Sequence, residues 1–371
     1  MESLNQFLSV WRTVALSGRE YIDAVVLPEH DGPTPELQQA LDEWPGAYYW
    51  ADGSDAGHLI LIRSTVPAQK ERWWLHVTLF ALSFLTVWMS GTLLAGLIAV
   101  PHVPLFRDPI VAGQALVEWV TQLGPGVGLG FAVTLMGILL AHELGHYTAA
   151  RTYRIDASPP YFLPAPPWYF FIGTFGAFIR LRSPVIDRRQ LMDVGAAGPW
   201  AGFVVAVIAF VFGLGASEVI ADLGPTQQVI MFGDFRFYLG DSIITAWLRK
   251  LVVGEGTVLL HPLAQAGWVG ILVTALNLMP FGQFDGGHVA YALVRDLQRF
   301  VGVFMLMLLV VLGFDFWFWW VWGAFILVVS GGRVGHPSVI EYHRPLPRNR
   351  RILGVATIAL FAVTFIAVPF G

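Results

Sequence analysis

The chain has 371 residues, of which 56% are hydrophobic and only 13% charged, with a net charge of −4 and a mean hydropathy of +0.62. Soluble globular chains carry about 25% charged residues, so the composition excludes an ordinary soluble enzyme and points to a polytopic protein of the lipid bilayer. The absence of cysteine rules out disulfides, thiolate ligands and thiol nucleophiles, and no basic block suggests nucleic acid as a partner.

Residues 1–72 are mixed in polarity, with a turn-rich centre (PEHDGPTPE) and likeness to strands at AYYWA and HLILIRS. They are expected to form a small cytoplasmic α+β domain whose simplest role is that of a solubilising extension. No signal-peptide or Arg-rich transit pattern precedes the first strongly apolar segment, near Trp74, so insertion is expected to start at an internal helix.

Residues 73–371 are expected to be the transmembrane domain, an all-α polytopic bundle. Its apolar spans are residues 74–100, 124–150, 194–216, 264–279, 300–314, 316–330 and 352–370, about seven crossings with a range of six to eight. The fourth breaks at NLMPFGQFDGG, and the fifth and sixth are spaced as a helical hairpin. The aromatic run FDFWFWWVW in that hairpin reads as an interfacial anchor.

Basic residues flank these spans so that nearly all fall on one side of the membrane if the N-terminus is cytoplasmic. Arg63, Lys70 and Arg72 precede the first; Arg151 and Arg154 follow the second; Arg180, Arg182, Arg188 and Arg189 precede the third. Arg295 and Arg299 follow the fourth, and Arg333, Arg344, Arg348, Arg350 and Arg351 lie between the sixth and seventh. The bias of basic residues toward the cytoplasm then predicts a multi-pass protein with a cytoplasmic N-terminus, in a prokaryotic plasma membrane. Arg107, Arg236, Arg249 and Lys250 are exceptions, in longer opposite loops read as partly membrane-associated.

The second span contains HELGH. His142 and His146 are four residues apart, and on a helix four residues advance by about 400°, so both imidazoles lie on one face, one turn apart. Both can reach one tetrahedral Zn²⁺, while Glu143 stands one step round the helix, where a general base belongs. Three ionisable groups in a membrane span are costly and persist mainly where they line a site.

Zinc needs a third protein ligand, and NLMPFGQFDGGH supplies Asp285. Pro280 lacks an amide hydrogen and breaks the helix, while Gly282, Gly286 and Gly287 permit close approach, so the segment reads as an interrupted helix that turns a carboxylate inward. Asn277, before the break, is placed to hydrogen-bond a substrate backbone or a developing oxyanion. His288 reads as a packed or capping residue, with an outer-sphere role open to it, and His261 as an interfacial residue.

These motifs together resemble the site-2 protease family of intramembrane zinc metalloproteases, which pairs HExxH in one transmembrane helix with NxxPxxxxDG in a later one. The chain has His142, Glu143 and His146, then Asn277, Pro280, Asp285 and Gly286 at the matching offsets. The wording is closest to the plant, cyanobacterial and related bacterial branch, and the resemblance covers roughly residues 124–290, the expected catalytic core. Phe284 stands where leucine is common. GTFGAFIRLRSP (173–184) looks like the glycine-containing hairpin beside the family's active site, which implies a substrate-binding role for Gly173, Thr174, Phe175 and Gly176. An exposed edge of that hairpin could pair with an unwound substrate as an added strand. DVGAAGPWAG (193–202) matches the small-residue start of the next helix, where Gly198 and Gly202 suit close helix packing.

The resemblance implies one Zn²⁺ per chain on His142, His146 and Asp285, Glu143 as the catalytic base, and hydrolysis within or near the transmembrane segment of a single-pass membrane protein. Pro280 and Gly286 would be structural residues near the site. Two alternatives stay open on the residues alone, a transporter or metal permease and a proteolytically silent scaffold or chaperone. Oligomeric state is not legible in the sequence.

Overall fold

The structure is a computed structural model that describes residues 4–16, 19–30, 34–50, 58–64, 71–95, 126, 128–167, 170–183, 185–220, 227–232, 235–339 and 344–371. The ends of the first two expected spans (96–100 and 124–125), Lys70, Arg107 and the last residue of the 173–184 segment lie outside the described residues.

The N-terminal region is an antiparallel sheet of β1 (Leu8–Leu16), β2 (Arg19–Val26), β3 (Ala47–Trp50) and β4 (His58–Ser64) in the order β1-β2-β4-β3. Helix α1 (Pro35–Asp42) starts at Thr34, whose hydroxyl accepts the Leu37 N–H, with Pro35 in the first turn where its missing amide hydrogen costs nothing. Its inward face joins Ile22, Leu59 and Leu61 in a buried cluster with Leu37 and Leu41. Strands β3 and β4 match the two expected from sequence; β1 and β2 were not foreseen. The N-terminal region rests on the chain that leads into the third long helix, through Tyr49, Ile62 and Ile186 and an Arg154–Asp42 ion pair at 3.0 Å.

Among the described residues, three helices are long and apolar enough to cross a membrane: α2 (Trp73–Leu94), α3 (Leu129–Thr152) and α4 (Arg188–Gly215). They correspond to the first three expected spans. The later apolar segments form shorter helices: α5 (Ile243–Val252), α6 (Pro262–Asn277), α7 (Asp285–Val294), α8 (Gln298–Leu312), α9 (Phe318–Val329) and α10 (Arg348–Thr364). At 1.5 Å per residue, α6 is about 24 Å long, short of the roughly 30 Å of a hydrocarbon core. It ends at Asn277, and after a break through Pro280 the chain resumes as α7.

The molecule is mostly helical with some strands, the N-terminal sheet and a hairpin near the site being expected. Besides the N-terminal sheet, β5 (Tyr161–Pro164) and β6 (Thr174–Phe178) form a two-stranded hairpin. Strands β7 (Glu218–Ile220), β8 (Gln228–Phe232), β9 (Phe235–Leu239) and β10 (Thr257–Leu259) form a further sheet in the order β7-β10-β8-β9. These strands are three to five residues long, too short for alternation to stand out in the sequence.

The core lies where α4 crosses α3 on one side and α6 on the other. Phe131, Leu135, Phe210, Trp268 and Ile271 fill it. Glycines bring the backbones together. A Cβ on Gly145 of α3 would run into the Ala197 carbonyl region of α4, and a Cβ on Gly267 of α6 would meet the Phe210 backbone. Substituting leucine at Gly267 forces α4 and α6 apart, and backbone cannot yield as a side chain can. Gly267→Leu is expected to cost about 3 kcal/mol, read as a lowered melting temperature in detergent. Gly137→Leu, where nothing stands within 4 Å, is expected to leave stability within about 0.5 kcal/mol of wild type.

Candidate metal centre

The centre is built from α3, the N-terminal end of α7 and the last residue of α6. His142, Glu143 and His146 are all buried, and the imidazoles meet edge to face with centroids 4.8 Å apart. Asp285, the first residue of α7, faces them across the bundle. His142 Nε2 and His146 Nε2 lie 3.2 and 3.3 Å from Asp285 Oδ2, and 3.0 Å from each other.

These spacings fit a metal ion. Atoms about 2.0–2.1 Å from one tetrahedral ion stand about 3.3 Å apart. The donor orientation agrees: His146 Nδ1 lies 2.7 Å from the Val194 carbonyl, to which it donates its N–H, so Nε2 presents a lone pair. Two imidazole lone pairs and a carboxylate oxygen converging on one point repel one another unless a cation lies between them. The described residues offer one such group of His, Asp and Glu side chains, and it is the one expected from the sequence.

Helix α4 forms the other wall. A Cβ on Gly198 would overlap the His146 imidazole, and one on Gly202 would stand 3.1 Å from His142 Cβ. The small residues foreseen in α4 thus leave room for the two rings. Close packing also explains Gly286, where a Cβ would strike the Leu278 carbonyl. Pro280 lies in the break, and its carbonyl accepts Gln298 Nε2–H at 2.9 Å. Asn277 closes α6, with Nδ2 3.3 Å from His142 Nε2.

A cavity of about 460 Å³ opens beside the cluster. Its lining includes His142, Glu143, His146, Asn277 and Asp285, together with Ala177, Phe178, Ile179, Arg180, Leu181 and Phe284. The Glu143 carboxylate is set against the backbone N–H of Ile179. Gly173, Thr174, Phe175 and Gly176, marked as substrate-binding by resemblance, do not line this cavity; the residues that follow them do. The reason is local. Gly173 (φ +78°) packs against the α2 backbone at Thr86, and the Thr174 hydroxyl donates to the Leu163 carbonyl and accepts the Gly176 N–H. Gly173 forms the bend, Thr174, Phe175 and Gly176 open β6, and the far end of that strand reaches the cavity.

Sequence reading missed a strap from residues 333–337 that braces the turn carrying Asp285. Gly282 N–H donates to the Val334 carbonyl at 2.9 Å, and His336 N–H donates to Gln298 Oε1 at 2.8 Å. Burial holds the His336 pKa below its ordinary value, against the opposing pull of the Pro337 carbonyl. The neutral ring gives its Nδ1–H to that carbonyl, so Nε2 accepts from His288 Nδ1 at 2.7 Å. His336 also stacks on Tyr291. No spacing rule links His288 to His336, 48 residues on, so only a three-dimensional contact reveals the pair.

Two histidines one turn apart, a neighbouring carboxylate and a third donor from a broken helix form a group that could hold a metal ion, set among long apolar helices. Residues 130–312 match the pattern of peptidase family M50. The chain is 34% identical over 204 residues to the probable zinc metalloprotease EGY1, chloroplastic, of Arabidopsis thaliana, covering 54% of this chain and 36% of that protein. It is 32% identical over 197 residues to the probable zinc metalloprotease EGY2, chloroplastic, of Oryza sativa subsp. indica, covering 52% and 33%. It is 31% identical over 235 residues to EGY1 of Oryza sativa subsp. japonica, covering 61% and 38%. The chain thus spans about a third of the length of the curated relatives it matches. These relatives are named as chloroplast proteins, which runs against the expected prokaryotic plasma membrane. No solved structure matches the chain.

Two predictions test the cradle and the brace. Gly198→Ala displaces the His146 ring and is expected to weaken metal retention on the order of 100-fold, measured by competition with a chromogenic chelator. His336→Ala removes the brace but no donor, and is expected to weaken retention on the order of tenfold in the same assay; unchanged retention would assign the strap to packing alone.

Proposed function

We propose that the protein is an intramembrane zinc metalloendopeptidase that hydrolyses a peptide bond within or near the transmembrane segment of a single-pass membrane protein. The observation that carries this reading is the convergence of His142 Nε2, His146 Nε2 and Asp285 Oδ2 within 3.3 Å beside the buried carboxylate of Glu143. The match to the M50 pattern and the named zinc metalloprotease relatives support it.

His142, His146 and Asp285 hold the ion. Zinc bound there supplies a Lewis acid that acidifies water and polarises a carbonyl. Glu143 takes the proton of the attacking water and returns it to the leaving amine. The backbone N–H of Ile179 faces this carboxylate. Asn277 Nδ2, beside His142, donates to the oxygen that gains charge as the carbonyl is attacked. Transport needs no base beside a metal pair, so the arrangement favours hydrolysis over a permease.

A transmembrane substrate hides its carbonyls in helical hydrogen bonds and must be unwound first. In the two-stranded hairpin β6 has one edge paired with β5. We assign its other edge, continuing through Ala177, Phe178 and Ile179, to pairing with the extended substrate, which lays its carbonyl in the cavity. Seven crossings, with residues 1–72 as a soluble domain on the side of the arginine-rich loops and residues 73–371 as the membrane domain, complete the reading.

The test is a zinc count paired with a cleavage assay on a transmembrane reporter. Glu143→Gln is expected to keep about one zinc per chain and to lose about 10²–10⁴-fold in cleavage rate. Asp285→Ala is expected to lose the zinc as well. Zinc-free wild type that cuts no reporter would sink the proposal, and full occupancy in Asp285→Ala would remove that residue from the ligand set.

A further inference from the structure

Helix α5 carries apolar residues on its outward face as well as on its inward one. Its start is well defined: Ser242 and Thr245 form a reciprocal capping box, with Thr245 N–H donating to Ser242 Oγ at 3.2 Å and Ser242 N–H to Thr245 Oγ1 at 2.8 Å. Its polar residues turn inward. Thr245 and Arg249 are buried; Arg249 Nη2 donates to Asp241 Oδ2 at 2.7 Å, and Asp241 also accepts from the Thr245 hydroxyl and from Gln228 Nε2 on β8. Leu248 is buried in the core and Ile244 packs against it, but three other large apolar residues turn outward. Ile243, Trp247 and Leu251 are 66%, 59% and 67% exposed. They stand at i, i+4 and i+8, each about 40° further round than the last, so they form one stripe, with exposed Lys250 at its edge.

A surface helix in water turns the opposite way. The stripe therefore faces an apolar medium, and its position says which one. Gly240, just before α5, accepts the Trp268 Nε1–H of α6 at 2.9 Å, and Leu239 bridges to Phe370 beyond the end of α10. Helix α5 also packs against α4 and α10. The end of α4, the start of α6 and the end of α10 thus meet at α5, at the level where the helices leave the apolar layer. The outer side of α4 carries exposed Val204, Ile208 and Phe212 up to this level. The stripe has no acidic residue; tryptophan and a flanking lysine are the side chains that suit a headgroup boundary.

We propose that α5 lies in the plane of the membrane, on the face opposite the arginine-rich loops, with Ile243, Trp247 and Leu251 sunk into the lipid boundary and Lys250 reaching to the headgroups. The surface is a lipid contact that ties down the connection between α4, which cradles the two histidines, and α6, which ends at Asn277. The proposal rests on the chain being membrane-embedded and is independent of whether it is a protease.

The chain has no cysteine, so single labels are clean. Ile243→Cys, Trp247→Cys and Leu251→Cys, with Glu255→Cys in the exposed loop after α5 as reference, would each be labelled with nitrobenzoxadiazole and reconstituted in phosphatidylcholine vesicles. The three stripe labels are expected to be quenched several-fold more than the reference by lipid carrying a doxyl group near the headgroup, and several-fold less by aqueous iodide. Iodide quenching equal to that of Glu255→Cys would overturn the proposal. So would shielding from iodide without doxyl quenching, because a second copy or another protein would then cover the stripe. Three independent, exposed positions keep the test valid if one variant fails to fold.

Discussion

The helical bundle is arranged around keeping two imidazoles and two carboxylates inside an apolar interior. Ionisable groups at membrane depth are expensive unless they pair or bind an ion. Here Asp285 lies 3.2 and 3.3 Å from the two histidine nitrogens, and the His146 ring is aimed by the Val194 carbonyl. That convergence is sterically demanding. It requires α4 to present glycine where the rings lie, α3 to present Gly145 to the α4 backbone, and the α6–α7 break to let Gly286 slide against Leu278. The small residues of three helices serve one purpose, to bring backbones close enough for side chains of ordinary length to meet.

A broken helix in a membrane exposes carbonyl and amide groups that lipid cannot satisfy. They are met by protein: Pro280 and Val334 carbonyls receive the Gln298 side chain and the Gly282 amide, and the His288–His336 contact closes the strap. The irregular segment that delivers Asp285 is thus held from the far side by a loop that follows α9. The hairpin β5–β6 plays the matching part on the near side, placing the Ile179 N–H against Glu143.

The metal group was largely legible in the chain. H-E-x-x-H on a helix and a carboxylate after a Pro–Gly break are local patterns whose chemistry follows from 3.6 residues per turn and from the cost of burying charge. The long spans were legible for the same reason, since length and hydropathy are local sums. What escaped was non-local or short: strands β7 to β10, the His288–His336 strap, and which hairpin residues reach the cavity. The outward stripe of α5 is the sharpest case. Its i, i+4, i+8 periodicity is visible in the sequence, but periodicity shows only that one face is apolar, and a soluble helix would have turned that face to the core.

The sequence by itself determined the metal-ligating residue types, the helix that carries two of them and the break that carries the third, because each depends on neighbours within one or two turns. Only the tertiary structure decided that these parts meet, which wall receives the rings, which strand enters the cavity and which way α5 faces. Those are properties of how helices cross, and a crossing depends on residues far apart in the chain that nothing local records.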